Sequence, residues 1–270
     1  MSGDKISKEI KEALGSAELY ERDRVPSTFH PLAIIFLEHV PIQHGESVLD
    51  VACGTGIVAR LVAEQFGSDR KIEGVDLDAD MLRVAQASTP PNTPIKWHKG
   101  NVNNMPFIDN DTFDWVLCQQ GFQYFDDQAG TLREFYRVLR PGGRLAIIMA
   151  RPVDKKWYPF HWAEVEALKK HVSAEAAEKA QYPIWAYNNG EDELRSLFLD
   201  AGFKEIEIQS DRFDRIKGSP EEIVIEDDYP DLDPETRAAV VSDIRKTVEP
   251  LRTKNGTKIP GGFYIALAVK

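Results

Sequence analysis

The chain has 270 residues, 42% hydrophobic and 29% charged, the profile of a soluble globular protein with a sizeable core. Its net charge of −11 opposes extended contact with a phosphate backbone, so no nucleic-acid partner is expected. Two cysteines, Cys53 and Cys118, make no disulfide framework or zinc pattern and fit a reducing, cytoplasmic setting, while the charged start and the absence of a long apolar run predict neither a signal peptide nor a membrane span.

Ile6, Ile10 and Leu14 recur at helical spacing and predict a short amphipathic helix over 4–14, either a lid over a ligand or a helix packed on a sheet. A second helix is expected over 31–40, closed by Pro41 and Gly45. Strand-like stretches then fall at 47–52, 71–77, 95–100, 113–119 and 144–150. Helical stretches near 57–66, 79–87 and 127–139 separate them, the last with an apolar stripe of Leu132, Phe135, Tyr136 and Leu139. This alternation implies a parallel sheet wound by helices on both faces.

Beyond 150 the rhythm loosens. A helix is expected over 159–171, followed by a polar, alanine-rich stretch and the aromatic segment from Tyr182 to Tyr187. Asn189 reads as an N-cap and Gly202 as a stop for a helix that buries Leu194, Leu197, Phe198 and Ala201. Ile206 and Ile208 alternate with Glu205 and Glu207 as in an outer strand, Asp233-Pro234 opens a helix through about 251, and 263–269 forms the last strand.

The most informative stretch is Val48-Leu49-Asp50-Val51-Ala52-Cys53-Gly54-Thr55-Gly56, an apolar strand that runs into a glycine turn. Gly54, Gly56 and Ala59 satisfy the looser dinucleotide fingerprint, and such a turn brings backbone amides close to a nucleotide-like ligand. Asp50 changes that reading, because a carboxylate beside the turn repels a pyrophosphate and attracts a ligand carrying positive charge. S-adenosylmethionine, an adenosine with a cationic tail, is such a ligand.

Four further segments, in order, resemble the motifs of class I S-adenosylmethionine-dependent methyltransferases. They are Gly74 to Leu82, Gly100-Asn101-Val102 through Met105-Pro106-Phe107, Phe113 to Gln120, and Arg137 to Leu145 with its Arg140-Pro141-Gly142-Gly143 turn. The nearest subgroup is the ubiquinone/menaquinone-biosynthesis-like small-molecule enzymes, and the likeness is strong over 46–150. It departs from the family at Asn101, where Asp is usual. The resemblance implies an α/β, Rossmann-like fold with a seven-stranded, mostly parallel sheet, helices on both faces and a terminal antiparallel hairpin. It also implies one methyltransferase domain over 1–270, with 1–45 as an N-terminal helical lid and roughly 151–190 plus 217–255 as helical insertions forming the substrate side.

For the cofactor, the Gly54, Thr55 and Gly56 amides with the following helix N-terminus would hold the methionine carboxylate, and Asp50 would face the ammonium group. Asp76 lies 20 residues past Gly56, the distance at which an acid reaches ribose hydroxyls, while Asp78 competes for that role or caps the next helix. The resemblance adds Ala52 and Leu77 to this set, with Met81, Asn101 and Val102 near the adenine, Gln119 beside the cofactor and Tyr20 above it. Gln120 or Gln123 could orient a methyl acceptor at the exit of the fourth strand.

His30 and His161 are the candidate general bases, the latter among Trp157, Tyr158, Phe160 and Trp162. The aromatics from Trp157 to Tyr187 either wall a pocket for a flat, apolar or amine substrate or form a core of their own. No metal-ligand spacing is present, and the sequence leaves the oligomeric state open. The expected activity is methyl transfer to oxygen, nitrogen or carbon of a small molecule. Its alternatives are a non-catalytic S-adenosylmethionine-binding regulator, a nicotinamide-dependent oxidoreductase and a macromolecular methyltransferase. Against the last, Gln119-Gln120-Gly121-Phe122 stands where an Asn/Asp-Pro-Pro-Tyr/Phe tetrad would be.

Overall fold

The computed structural model describes residues 15–67 and 69–270, so the helix expected over 4–14 lies outside the described residues. The chain divides into two compact units, the first running to Met149 and adding Glu191–Gln209 and Tyr264–Lys270, the second comprising Ala150–Gly190 and Ser210–Phe263.

The first unit opens with one helical turn, α1 (Ala17–Leu19), capped by the Ser16 side chain, and continues as a π-helix over Tyr20–Phe29 and then α2 (His30–Glu38). Next come β1 (Val48–Val51), α3 (Ile57–Phe66), β2 (Ile72–Asp76), α4 (Ala79–Ser88) and β3 (Ile95–Lys99). They are followed by β4 (Phe113–Gln119), α5 (Gln128–Val138) and β5 (Leu139–Ala150).

β1 is buried along its whole length because it pairs in parallel with both β2 and β4. Its apolar residues therefore pack on both sheet faces. β2 pairs with β3, and β4 with β5, also in parallel. The N-terminal edge of these strands is pinned by polar contacts: Asp114 accepts from the Ser47 amide and hydroxyl, both at 2.7 Å, and Trp115 Nε1 donates to Glu46 at 2.8 Å. The opposite edge, where the strands end, carries the glycine turn.

The full sheet has eight strands rather than seven, in the order β3-β2-β1-β4-β5-β8-β6, with the two-residue β7 (Arg252–Thr253) paired antiparallel to β8 (Gly256–Val269). The short β7 is the extra strand. β6 (Lys204–Lys217) is much longer than the Ile206–Ile208 alternation suggested, and together with β5 and β8 it begins in one unit and ends in the other. α8 precedes β6 and is described below with the second half of the chain.

The second unit is mainly helical: α6 (Pro159–His171), α7 (Ala174–Gln181), the short α9 (Pro220–Ile223) and α10 (Pro234–Val248), with α8 (Glu191–Asp200) between them in sequence but belonging to the first unit. Its core joins Ala163, Val165 and Leu168 of α6 to Val240, Val241, Ile244 and Val248 of α10. Asp243 on α10 fastens the end of α6, accepting from Lys170 Nζ at 2.6 Å and bonding His171 Nε2 at 2.8 Å. A smaller cluster gathers Ala150, Val153 and Tyr158 with Trp157 and Trp185.

Candidate active site

The glycine turn closes over a network of carboxyl groups. Asp76, the last residue of β2, accepts the Gly54 amide on one oxygen at 2.7 Å and the Asp78 amide on the other at 2.8 Å. Asp50 accepts the Ala59 amide of α3 at 3.1 Å. Its side chain thus satisfies one of the orphan donors of the helix N-terminus from the strand below.

Burial pushes the Asp50 carboxyl up to about 8, an effect opposed by the Ala59 hydrogen bond and increased by the nearby charge of Asp76. Burial likewise raises Asp76, against the amides of Asp78 and Gly54. Two poorly solvated carboxyl groups at one turn make a place for a cation and a hostile one for a pyrophosphate.

The backbone around the turn is strained. Ala52 at the end of β1 has φ 50° and Gln120 after β4 has φ 55°, both left-handed conformations that cost a side-chain-bearing residue roughly 1–3 kcal/mol. These strand ends nearly touch, since a Cβ on Gly121 would lie 2.7 Å from that of Ala52. Gly56, at φ 81°, opens α3 over the Trp97 ring, where a Cβ would come within 2.3 Å of the indole.

Above the turn, Tyr20 stacks on Phe29 with centroids 4.9 Å apart. The segment is tied down by Arg60 to Glu21 at 2.7 Å, by Arg83 to Glu18, and by Gln119 Nε2 donating to the Phe29 carbonyl at 2.9 Å. Beneath it lies a cavity of about 20 Å³ lined by Tyr20, Phe29, Asp50, Ala52, Gly54 and Gln119, with Cys53, Ile57 and Val58. That volume holds about one water, so a nucleoside enters only if the aromatic roof moves.

Of the expected cofactor residues, Tyr20, Asp50, Ala52, Gly54 and Gln119 therefore meet at one cavity. The turn amides differ from expectation: Gly54 donates to Asp76 and Gly56 donates to the Cys53 carbonyl at 2.8 Å, and the α3 amide at Ala59 is taken by Asp50. None of these three is open for a ligand carboxylate in this conformation. Two buried side-chain oxygens, Thr55 Oγ1 and Gln119 Oε1, have no hydrogen-bond partner and supply polar capacity instead.

Leu77 is 60% exposed just past β2, Met81 is half-buried on α4 and Val102 is buried. Asn101 is exposed and its side chain accepts the Asn103 amide at 2.9 Å. Asp78 caps α4 by accepting the Asp80 amide, the second of the two roles the sequence left open to it. Gln120 accepts from Gln123 Nε2 at 3.1 Å. Among the candidate bases, His30 is half-buried at the start of α2. His161 sits in the second unit, where burial, with Arg215 and Lys217 adding to it, pushes its imidazole down to about 3. It is neutral at physiological pH and a weak base.

Phe29 belongs with Tyr20, Arg24 and His30 to the segment ahead of the sheet that the resemblance places over the cofactor, and no periodicity marks it as a lining residue. The π-helix places it under Tyr20 through hydrogen bonds such as His30 N–H to the Val25 carbonyl, a five-residue step outside the α-helical period.

The residues present fit an adenosyl sulfonium with an ammonium tail: the carboxyls of buried Asp50 and half-buried Asp76, the orphaned oxygens of Thr55 and Gln119, exposed Leu77 for a ring face and an aromatic roof. A model of the methyltransferase domain family matches residues 49–147. The demethylmenaquinone methyltransferase of Geobacillus sp. (strain WCH70) is 31% identical over 185 residues, covering 66% of this chain and 79% of the relative. That of Symbiobacterium thermophilum is 32% identical over 188 residues, covering 64% and 74%.

Among solved structures, the phosphoethanolamine N-methyltransferase 2 of Haemonchus contortus in complex with S-adenosyl-L-methionine shares the fold with a TM-score of 0.53 at 20% identity, covering 89% of this chain and 52% of that one. The YcgJ protein of Bacillus subtilis does so at 0.55 and 16%, covering 89% and 98%. The chain belongs to the class I S-adenosylmethionine-dependent methyltransferases, in the menaquinone/ubiquinone-biosynthesis-like group. S-adenosylmethionine is its methyl donor and a small molecule its acceptor.

Proposed function

We propose that the chain methylates a flat, hydroxylated aromatic acceptor, using the β1 and β2 strand ends for the cofactor. The observation that carries the cofactor half is the pair of carboxyls, buried Asp50 and half-buried Asp76, at a glycine turn roofed by Tyr20. Support for the acceptor half comes from relatives named for demethylmenaquinone, a naphthoquinone, and from the rings of Trp157, Tyr158 and Trp185.

When bound, S-adenosylmethionine supplies a methyl group already activated by its sulfonium, so the protein's work is alignment and exclusion of water. Asp50 holds the ammonium end and orients the donor. Asp76, with lone pairs left after its two amide bonds, reaches the ribose hydroxyls, and Leu77, Met81, Asn101 and Val102 frame the adenine. Thr55 and Gln119 take polar contacts with their orphaned oxygens. Tyr20 and Phe29 close over the site and keep bulk water out. Gln120 and Gln123 orient the acceptor. His30, in the same unit as the cofactor residues, is the candidate for taking a proton from the acceptor.

No helix among the described residues is long and apolar enough to cross a membrane. With both cysteines buried and unpaired, we place the activity in the cytoplasm.

Calorimetry with S-adenosylhomocysteine and NAD, followed by mass spectrometry of naphthohydroquinone incubated with S-adenosylmethionine, tests this reading. Binding of the first ligand but not the second, and a product heavier by one methyl group, are expected. Equal NAD binding overturns the cofactor assignment. Tight S-adenosylhomocysteine binding with no methylation of any phenol, quinol or amine leaves a non-catalytic binder.

A further inference from the structure

The register of β1, β2 and β3 sets Asp50, Gly74 and Trp97 side by side on one rung of the sheet. Residues paired on neighbouring parallel strands project to the same face, so the Asp50 carboxyl and the Trp97 indole flank a position that carries no side chain. The indole fills that gap. A Cβ on Gly74 would stand 2.3 Å from its Cζ3, 2.4 Å from its Cε3 and 3.1 Å from Cys53 Sγ. A Cβ on Gly56, at the start of α3, would come within 2.3 Å of Cη2 of the same ring. One aromatic edge therefore runs from β3 across the middle strand to the underside of the glycine turn.

The turn and the first residues of α3 thus rest on Asp76 at the Gly54 amide, 2.7 Å away, on the indole beneath Gly56, and on Asp50 at the Ala59 amide, 3.1 Å away. The two carboxyls are also the groups assigned to the ligand, so a bound ligand shares them. The indole contact is apolar and involves no group that the ligand recruits. It is made by a rigid aromatic side chain with few torsions to adjust. It can therefore hold the turn in place while Asp50 and Asp76 take up their new partners.

We propose that Trp97 is a positioning residue of the cofactor site: its indole, seated in the gap left by Gly74, fixes the height of the glycine turn so that Asp50 and Asp76 meet one S-adenosylmethionine molecule together. This role rests on the assignment of those two acids to the ammonium group and the ribose. A ligand that bridges both acids gains from their fixed separation, because its second contact forms within an already bound molecule. A fragment that reaches only one of them has no such gain. Loosening the turn therefore penalises the whole ligand more than its adenosine half. A ring that only filled space would, on removal, lower stability and leave the two affinities in their original ratio.

The test titrates the full chain and its variants by calorimetry, alongside melting curves, with S-adenosylhomocysteine and with methylthioadenosine, which keeps the ribose and lacks the amino-acid tail. Trp97→Leu is expected to weaken S-adenosylhomocysteine about tenfold and methylthioadenosine by less than about twofold. Trp97→Phe keeps a planar ring that stops short of Gly56, and should fall between the variant and the unaltered chain. Gly74→Ala approaches from the other side, since its methyl group displaces the indole while Trp97 stays in the sequence, and should show the same selective loss. A folded Trp97→Leu chain that binds both ligands normally, or weakens both by one factor, overturns the positioning role. If that variant does not melt cooperatively, the same comparison is read on Trp97→Phe. Failure of the unaltered chain to bind S-adenosylhomocysteine would sink the proposed function, whereas tight binding with an unchanged ratio in the variants would sink this inference alone.

Discussion

In the first unit the polar groups that define the site lie close together in sequence: Asp50 stands in β1, Gly54 and Thr55 in the turn that follows it, and Asp76 ends the neighbouring strand with its carboxylate on the Gly54 amide. In the second unit Tyr158 and His161 stand at the start of α6, and Trp185 joins them from a distant stretch only through packing. The first arrangement is fixed by the geometry of a parallel strand feeding a helix, which recurs wherever that connection is built. The second depends on which side chains the insertions bring together. A binding crevice made by strand ends is therefore robust in position and constrained in chemistry, while one made by inserted helices is free to vary.

The largest expected effect comes from the first unit's turn. Gly56→Ala forces a Cβ into a left-handed residue and onto Trp97, and should destabilise the protein by about 3 kcal/mol and abolish S-adenosylhomocysteine binding. Urea denaturation and calorimetry measure both. A variant that folds and binds normally would show that the turn does not set the site.

Asp76→Ala removes the acceptor for the Gly54 and Asp78 amides and should cost roughly 1.5–3 kcal/mol of cofactor affinity. Asp78→Ala removes the α4 cap and should cost about 1 kcal/mol of stability with a smaller change in affinity. If the order of the two affinities reversed, the ribose contact would belong to Asp78.

Asp50 gives a pH signature. Its folded value, raised to about 8, lies above that of the unfolded chain, so its contribution to stability is complete below about pH 4 and is lost as pH rises through 8. A cationic ligand needs the carboxylate, so affinity should climb from pH 6 to 8 with proton uptake by buffer, visible as a dependence of binding heat on buffer ionisation. Asp50→Asn should bind about tenfold more weakly at pH 8 and flatten the profile. A steep profile retained by the variant would assign the titration elsewhere.

The smallest effect belongs to the second unit's frame. The side-chain hydrogen bonds of Lys170 and His171 hold the Asp243 carboxyl well below the usual range, so the stability it gives is present above about pH 4 and is lost as pH falls through its lowered value. Asp243→Asn should lower Tm slightly at neutral pH, flatten the acid limb and leave S-adenosylhomocysteine affinity untouched. A clear loss of affinity would mean that this frame and the cofactor site are energetically joined.

Much of the first unit was legible because its strands are apolar runs ended by turn residues, and β1, β2 and β4 fall where those runs do. β5 begins at Leu139 rather than 144, since Leu139 still pairs with Phe113 while Arg140 to Gly143 bulge out of register before Arg144 pairs with Trp115. α7 escaped detection as a helix because its alanines give little contrast between faces and only Ala177 is buried. The π-helix had no periodic signature at all.

By itself the sequence determined the parallel sheet, the glycine turn and the acids beside it, because strand, turn and helix N-terminus are local structures whose requirements are written in consecutive residues. Tertiary structure alone decided which hydrogen-bonding groups of that turn are already spent, how Phe29 comes to lie against Tyr20, and that His161 is a neutral, buried nitrogen rather than a ready base. Each of those outcomes depends on burial and on partners far away in the chain, and a residue's solvation is a property of its neighbours in space.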